Sequence, residues 1–175
     1  VARFLDLNNN GHLDLFTANG DVRAIEALVR ARDPFPLHQP NQLFQNRGGH
    51  FEEITERAGA AFGPSEVSRG VLVGDLDNDG DPDLVVTNNG GPARVLLNHT
   101  GQELPWLGLE LLGDETPRPM LGAAVTLLRR GAPSLHRRAY ADGSYASARD
   151  PRVLFGLGES TDIESVEGLW PDGRR

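Results

Sequence analysis

A short acidic loop occurs twice, and this repeat constrains the fold more than any other feature of the chain. The first copy is Asp6-Leu-Asn-Asn-Asn-Gly-His-Leu-Asp14, followed by Leu-Phe-Thr-Ala-Asn-Gly20. The second is Asp75-Leu-Asp-Asn-Asp-Gly-Asp-Pro-Asp83, followed by Leu-Val-Val-Thr-Asn-Asn-Gly90. It begins 69 residues later, at position 75 against position 6. One supersecondary unit is therefore used twice. Propeller blades repeat every ~40–50 residues, so this spacing requires an insertion. Residues 21–33 supply it: Val22, Ile25, Leu28 and Val29 recur at helical spacing and predict a short amphipathic helix. Pro34, Pro36 and Pro40 end it.

In the second loop Asp75, Asp77, Asp79 and Asp83 alternate, with Gly80 after the third. A spacing of two places alternate side chains on one side of a bent chain, so the carboxylates can converge on one point. Glycine at the sixth position permits the sharp turn. The backbone carbonyl of Asp81 is the expected ligand at the seventh position, and Asp83 closes the shell at the ninth. Hard oxygen donors in this number suit Ca²⁺, which takes 6–8 of them in flexible geometry, better than Mg²⁺. The first loop offers Asp6, Asn8, Asn10 and Asp14, with His12 giving only its carbonyl. Its ligand side chains carry fewer charges, so its site is expected to be weaker. An EF-hand is excluded, because it needs a glutamate at position twelve. Val86 and Thr17 stand there, each in a β-like run.

The surrounding pattern is all-β. Val71-Leu-Val73 enters the second loop, Leu84-Val-Val-Thr87 leaves it, and Arg94-Val-Leu-Leu97 reads as a third strand. Gln42–Gln45 and His50–Ile54 flank Arg47-Gly-Gly49 as a hairpin. After residue 100 the acidic loops stop. Strands are expected at Leu107–Leu112, Ala123–Leu128, Leu135–Ala141, Val153–Phe155 and Ile163–Trp170, and the domain boundary is placed near residues 99–104.

These residues resemble a known family. The second loop and its following strand look like an FG-GAP/VCBS repeat, the blade unit of integrin-α-like β-propellers; Asn41–Asn46 and Phe51–Thr55 fit the same blades. Residues 104–175 are similar to the ASPIC/UnbV domain through Gly122-Ala-Ala-Val125, Gly143-Ser-Tyr145, Phe155-Gly-Leu-Gly158 and Trp170-Pro-Asp-Gly173. In this order the two resemble the cartilage acidic protein family, and the chain reads as a bacterial member. One departure is Thr116-Pro-Arg-Pro119, which stands where members often carry Asn-Arg. The resemblance implies about two blades of a calcium-binding propeller, residues 1–99, then a small β-sandwich-like domain, residues 104–175. It implies adhesion or binding outside the cell, in the periplasm or at the cell surface. Because a propeller needs roughly four to eight blades, the chain is expected to be part of a longer protein whose other blades are its neighbours.

Composition narrows the partners. The net charge is −8, with 25 acids against 17 bases, which does not suit a phosphate-backbone binder. There is no cysteine, so disulfides and Cys-type zinc sites are excluded. No apolar run reaches the ~18 residues of a membrane span. The five histidines form no ligand pair, and no Gly-x-Ser-x-Gly elbow or phosphate loop occurs. A non-enzymatic, calcium-binding module with a protein or glycan ligand is the resulting expectation. The alternatives are a carbohydrate-binding module and a non-catalytic part of a larger secreted enzyme.

Overall fold

The computed structural model describes residues 1–114 and 116–175. It is nearly all β, with 37% strand and 6% helix. Chain order runs β1 (Ala2–Leu5), β2 (Asp14–Thr17), α1 (Glu26–Arg30), β3 (Gln39–Pro40), β4 (Gln42–Asn46), β5 (Phe51–Glu53), β6 (Ser65–Glu66), β7 (Ser68–Gly74), β8 (Asp83–Asn88) and β9 (Arg94–Leu96). It continues with β10 (Trp106–Leu109), β11 (Ala124–Arg129), β12 (Leu135–Arg138), β13 (Ala148–Arg149), β14 (Val153–Gly156) and β15 (Ile163–Leu169).

The first repeat is an antiparallel meander of order β1-β2-β4-β5, and the second repeats it as β7-β8-β9. In both, the acidic loop joins the first two strands. Alternation along these strands sends one face inward: Leu5, Phe16 and Leu43 from the first sheet meet Val71, Val73, Leu84 and Val86 from the second in one core. This is blade-on-blade packing, and neither sheet closes on itself, as a fragment of a propeller requires. The short pair β3–β6 ties the repeats together.

The expected helix over 21–33 is reduced to Glu26–Arg30. Val22 is 81% exposed and Val29 is 50% exposed, while Ile25 and Leu28 are only half-buried, so the helical spacing finds little surface to bury against. A helix without an apolar partner is marginal at this length.

In the C-terminal part, β10-β14 and β12-β11-β15 enclose a second core of Val125, Leu127, Leu135, Val153, Phe155 and Leu157. One strand leaves this unit. β13 pairs in parallel with β7, Ala148 opposite Leu72 and Arg149 opposite Val73, and so becomes the fourth strand of the second blade. Asp150 N–H donates to Val73 O at 2.9 Å and Val71 N–H to Ser147 Oγ at 3.0 Å. Gly70 makes room: a Cβ there would stand 2.1 Å from Ala146 O. No helix among the described residues is long and apolar enough to cross a membrane.

Candidate metal centre

The two acidic loops are close replicas. Asn9 and Asn78 take positive φ of 55° and 61°, and Gly11 and Gly80 follow at 90° and 93°. Asparagine tolerates the left-handed region and glycine prefers it, so the same turn is built twice. The first aspartate caps the turn in both. Asn10 N–H and Gly11 N–H donate to Asp6 at 3.0 and 2.9 Å, and Asp79 N–H and Gly80 N–H donate to Asp75 at 3.1 and 3.2 Å.

The last aspartate, fully buried in both loops, ties three strands. Asp14 accepts from Leu7 N–H and Asn46 N–H, each at 2.8 Å. Asp83 accepts from Leu76 N–H at 2.7 Å and Asn98 N–H at 2.8 Å. Asn46 and Asn98 close their blades' third strands, a role the sequence reading missed. The signal was there, because Gln42-Leu-Phe-Gln-Asn46 and Arg94-Val-Leu-Leu-Asn98 end alike. Asn98 Nδ2 also donates to Leu7 O at 2.7 Å and so ties the second blade to the first loop.

In the second loop Asp75, Asp77 and Asp83 bring carboxylate oxygens within 4.8 Å of one another. Like charges at that separation cost roughly 3 kcal/mol per pair at an effective dielectric constant of about 20, less where water reaches the exposed Asp77. Burial pushes the Asp83 carboxyl above its ordinary value, and the charges of Asp77 and Asp79 add to it. The donor set is therefore one that a cation relieves, and the residues fit a metal ion. A second group joins Asp77 and Asp79 to His99, whose ring stands 3.9 Å from Asp79; the sequence reading had left His99 aside.

Asp81 is fully buried, but its carboxylate is turned out of the loop. It accepts from Asn9 Nδ2 at 2.7 Å and from Gly101 N–H at 3.0 Å, so only its carbonyl is left for the loop interior. Burial drives its pKa up to about 6, with Asp79, Asp83 and Asp75 contributing.

The first loop carries less charge. Asn10 Oδ1 accepts His12 N–H at 2.8 Å, and the His12 side chain is exposed. Asn8 Oδ1 is buried without a hydrogen-bond partner among the described residues. A buried acceptor in that state is costly, and a cation in the loop would satisfy it. Asp6 faces Arg137, Nη2 to Oδ2 at 3.8 Å. Burial still pushes the Asp6 carboxyl up to about 6 against that guanidinium.

Residues 6–86 match the FG-GAP-like repeat family, and residues 113–175 match ASPIC and UnbV. Cartilage acidic protein 1 of Homo sapiens is 29% identical over 97% of this chain, which covers 24% of that protein. The Mus musculus and Xenopus tropicalis proteins of the same name are 29% and 28% identical over the same share. The chain carries an FG-GAP-like repeat followed by an ASPIC and UnbV region. It spans about a quarter of the length of the curated relatives it matches.

The ASPIC and UnbV region and the short link before it grip both FG-GAP loops. The indole of Trp106 lies on Gly80 so closely that a Cβ would sit 2.0 Å from the ring. That contact and the positive φ give Gly80 two reasons to be glycine. Arg152 donates to Asp75 O at 2.6 Å and to Asn78 Oδ1 at 2.7 Å. On the first loop, Gly158 N–H donates to Asn9 O at 2.8 Å and Arg137 Nη2 to Gly11 O at 3.2 Å. Gly156 lets β14 approach: a Cβ there would stand 2.3 Å from Asn9 Cα. The Phe155-Gly-Leu-Gly158 motif is thus where this region meets the first loop.

Proposed function

We propose that the chain is a calcium-stabilised, non-catalytic interaction module of a protein that works outside the cell, in the periplasm or at the cell surface. The observation that carries the reading is the convergence of Asp75, Asp77 and Asp83 in a loop that joins the first two strands of a blade. In the second loop, Asp75, Asp77, Asp79 and Asp83 with the carbonyl of Asp81 would hold Ca²⁺. In the first, Asp6, Asn8, Asn10 and Asp14 with the carbonyl of His12 would hold a weaker one. The donors are all oxygen, as Ca²⁺ prefers. When bound, the ion supplies charge neutralisation and ligation in place of carboxylate repulsion. The role is structural, because Asp14 and Asp83 tie their blades' three strands and the ASPIC and UnbV region docks on the same loops. The relatives are named for cartilage, a tissue rich in extracellular matrix, which supports a site of action outside the cell.

The test is thermal melting in millimolar Ca²⁺ and in EDTA. Binding at a hundredfold excess over Kd adds about 2.7 kcal/mol, a rise of roughly 5–10 °C for a chain of this size. An unchanged midpoint refutes the reading.

A further inference from the structure

A polar cavity of about 380 Å³ opens between β1 and the segment from Arg138 to Arg149, and no acidic-loop residue lines it. Arg3 reaches it from β1, Arg138 from the end of β12 and Arg149 from β13, and Tyr140, Asp142 and Ser144 complete the wall. Three guanidiniums therefore meet one carboxylate in a protein of net charge −8. None of the three forms an ion pair among the described residues.

The arginines are held in place. The Tyr140 ring has the Arg138 guanidinium at 5.5 Å and the Arg149 guanidinium at 5.0 Å from its centroid. Cation–π attraction of this kind fixes two cations that would otherwise repel each other apart. Arg149 Nη1 donates to Phe4 O at 3.1 Å. Arg3 is only 6% exposed, and its Nη2 donates to Ala148 O at 2.5 Å. Its Nε is buried with no hydrogen-bond partner among the described residues. A buried donor without an acceptor is costly.

We propose that this cavity binds the carboxylate or sulfate group of an acidic sugar. Guanidinium forks match oxyanions in plane and charge. The volume lies within the range of small-ligand sites, about 300–1,000 Å³. Asp142 and Ser144 decide the rest of the ligand. A carboxylate acceptor and a hydroxyl beside the cations serve neutral hydroxyl groups, which a sugar ring presents around its single charge. Asp142 and the overall negative charge act against polyanions. The site is built jointly by the first blade and the ASPIC and UnbV region, and it is independent of calcium binding in the loops.

The experiment is calorimetric titration of the 175-residue chain in calcium at near-physiological salt, with glucuronic acid, glucose 6-sulfate, glucose and inorganic sulfate as probes. Saturable binding is expected for at least one acidic sugar, with glucose and inorganic sulfate at least tenfold weaker. Arg138→Gln and Arg149→Gln should each lower that affinity at least tenfold. Their calcium-dependent melting should be unchanged, which separates site loss from unfolding. The proposal is overturned if neither acidic sugar binds, if glucose or inorganic sulfate binds equally well, or if both variants keep full affinity.

Discussion

Asn9 Nδ2 donates to Asp81 Oδ1 at 2.7 Å, and both side chains are buried. Asn9 belongs to the first acidic loop and Asp81 to the second, so this bond, with a longer one from Asn9 Nδ2 to Gly80 O at 3.4 Å, joins two turns that lie far apart in the chain. At the position in the second loop that corresponds to Asn9, Asn78 receives Arg152 of the ASPIC and UnbV region instead. Each loop thus passes its contact to the next element.

Asn9→Gly should destabilise the chain by about 2 kcal/mol, because it removes a buried hydrogen bond to a charged group while keeping the positive φ. Asn9→Ala should cost about 1 kcal/mol more, the penalty for alanine in the left-handed region. Denaturant titration of both variants checks the order; equal losses would mean that the backbone conformation contributes nothing.

Asp77→Ala should remove more calcium affinity than Asn8→Ala. The first deletes a charge from the denser donor set, while the second removes a neutral acceptor from a loop already served by Arg137 at 3.8 Å from Asp6. Calorimetry on the two variants decides, and equal losses would show that charge count is the wrong criterion.

Without metal, stability should fall as pH rises from about 4 to 7. Asp6 and Asp81 have folded-state pKa values near 6, above their ordinary 3.8. The native state therefore binds more protons than the unfolded chain in that window, and ionisation above it is destabilising. Surface pairs such as Arg57–Glu52 act oppositely but are screened. With Ca²⁺ the trend should reverse, because the ion needs ionised carboxylates. Melting in EDTA from pH 5 to pH 8 tests this; a midpoint that rises with pH in EDTA contradicts it.

Gly156→Ala should cost roughly 1–3 kcal/mol by overpacking. Its Cβ would stand 2.3 Å from Asn9 Cα and 2.5 Å from Asp6 Oδ2. The first loop should lose calcium affinity at the same time, whereas Gly131→Ala, with nothing near its Cβ, should leave that affinity unaltered. Calcium titration of the pair separates docking from general strain.

Residues 104–175 expressed alone should give a β-type circular dichroism spectrum that EDTA leaves unchanged, since their core of Val125, Leu127, Phe155 and Leu157 is their own. Ala148–Arg149 should lose protection in hydrogen exchange, because their strand partner is β7. A disordered spectrum would mean that the region folds only on the blades.

The local grammar of this chain was legible in its residues. Alternating apolar positions gave the meanders, and the aspartate spacing with Gly11 and Gly80 gave the two turns, because period, turn chemistry and charge act over a few neighbours. The β13 strand, the outward carboxylate of Asp81, His99 beside Asp79 and the joint cavity of Arg3, Arg138 and Arg149 were not legible. Each depends on residues far apart in sequence that only packing of the blades and the ASPIC and UnbV region brings together. The 21–33 helix was shortened to Glu26–Arg30 for the same reason: its spacing was helical, but how much of Val22 and Val29 could be buried was decided by the tertiary structure alone.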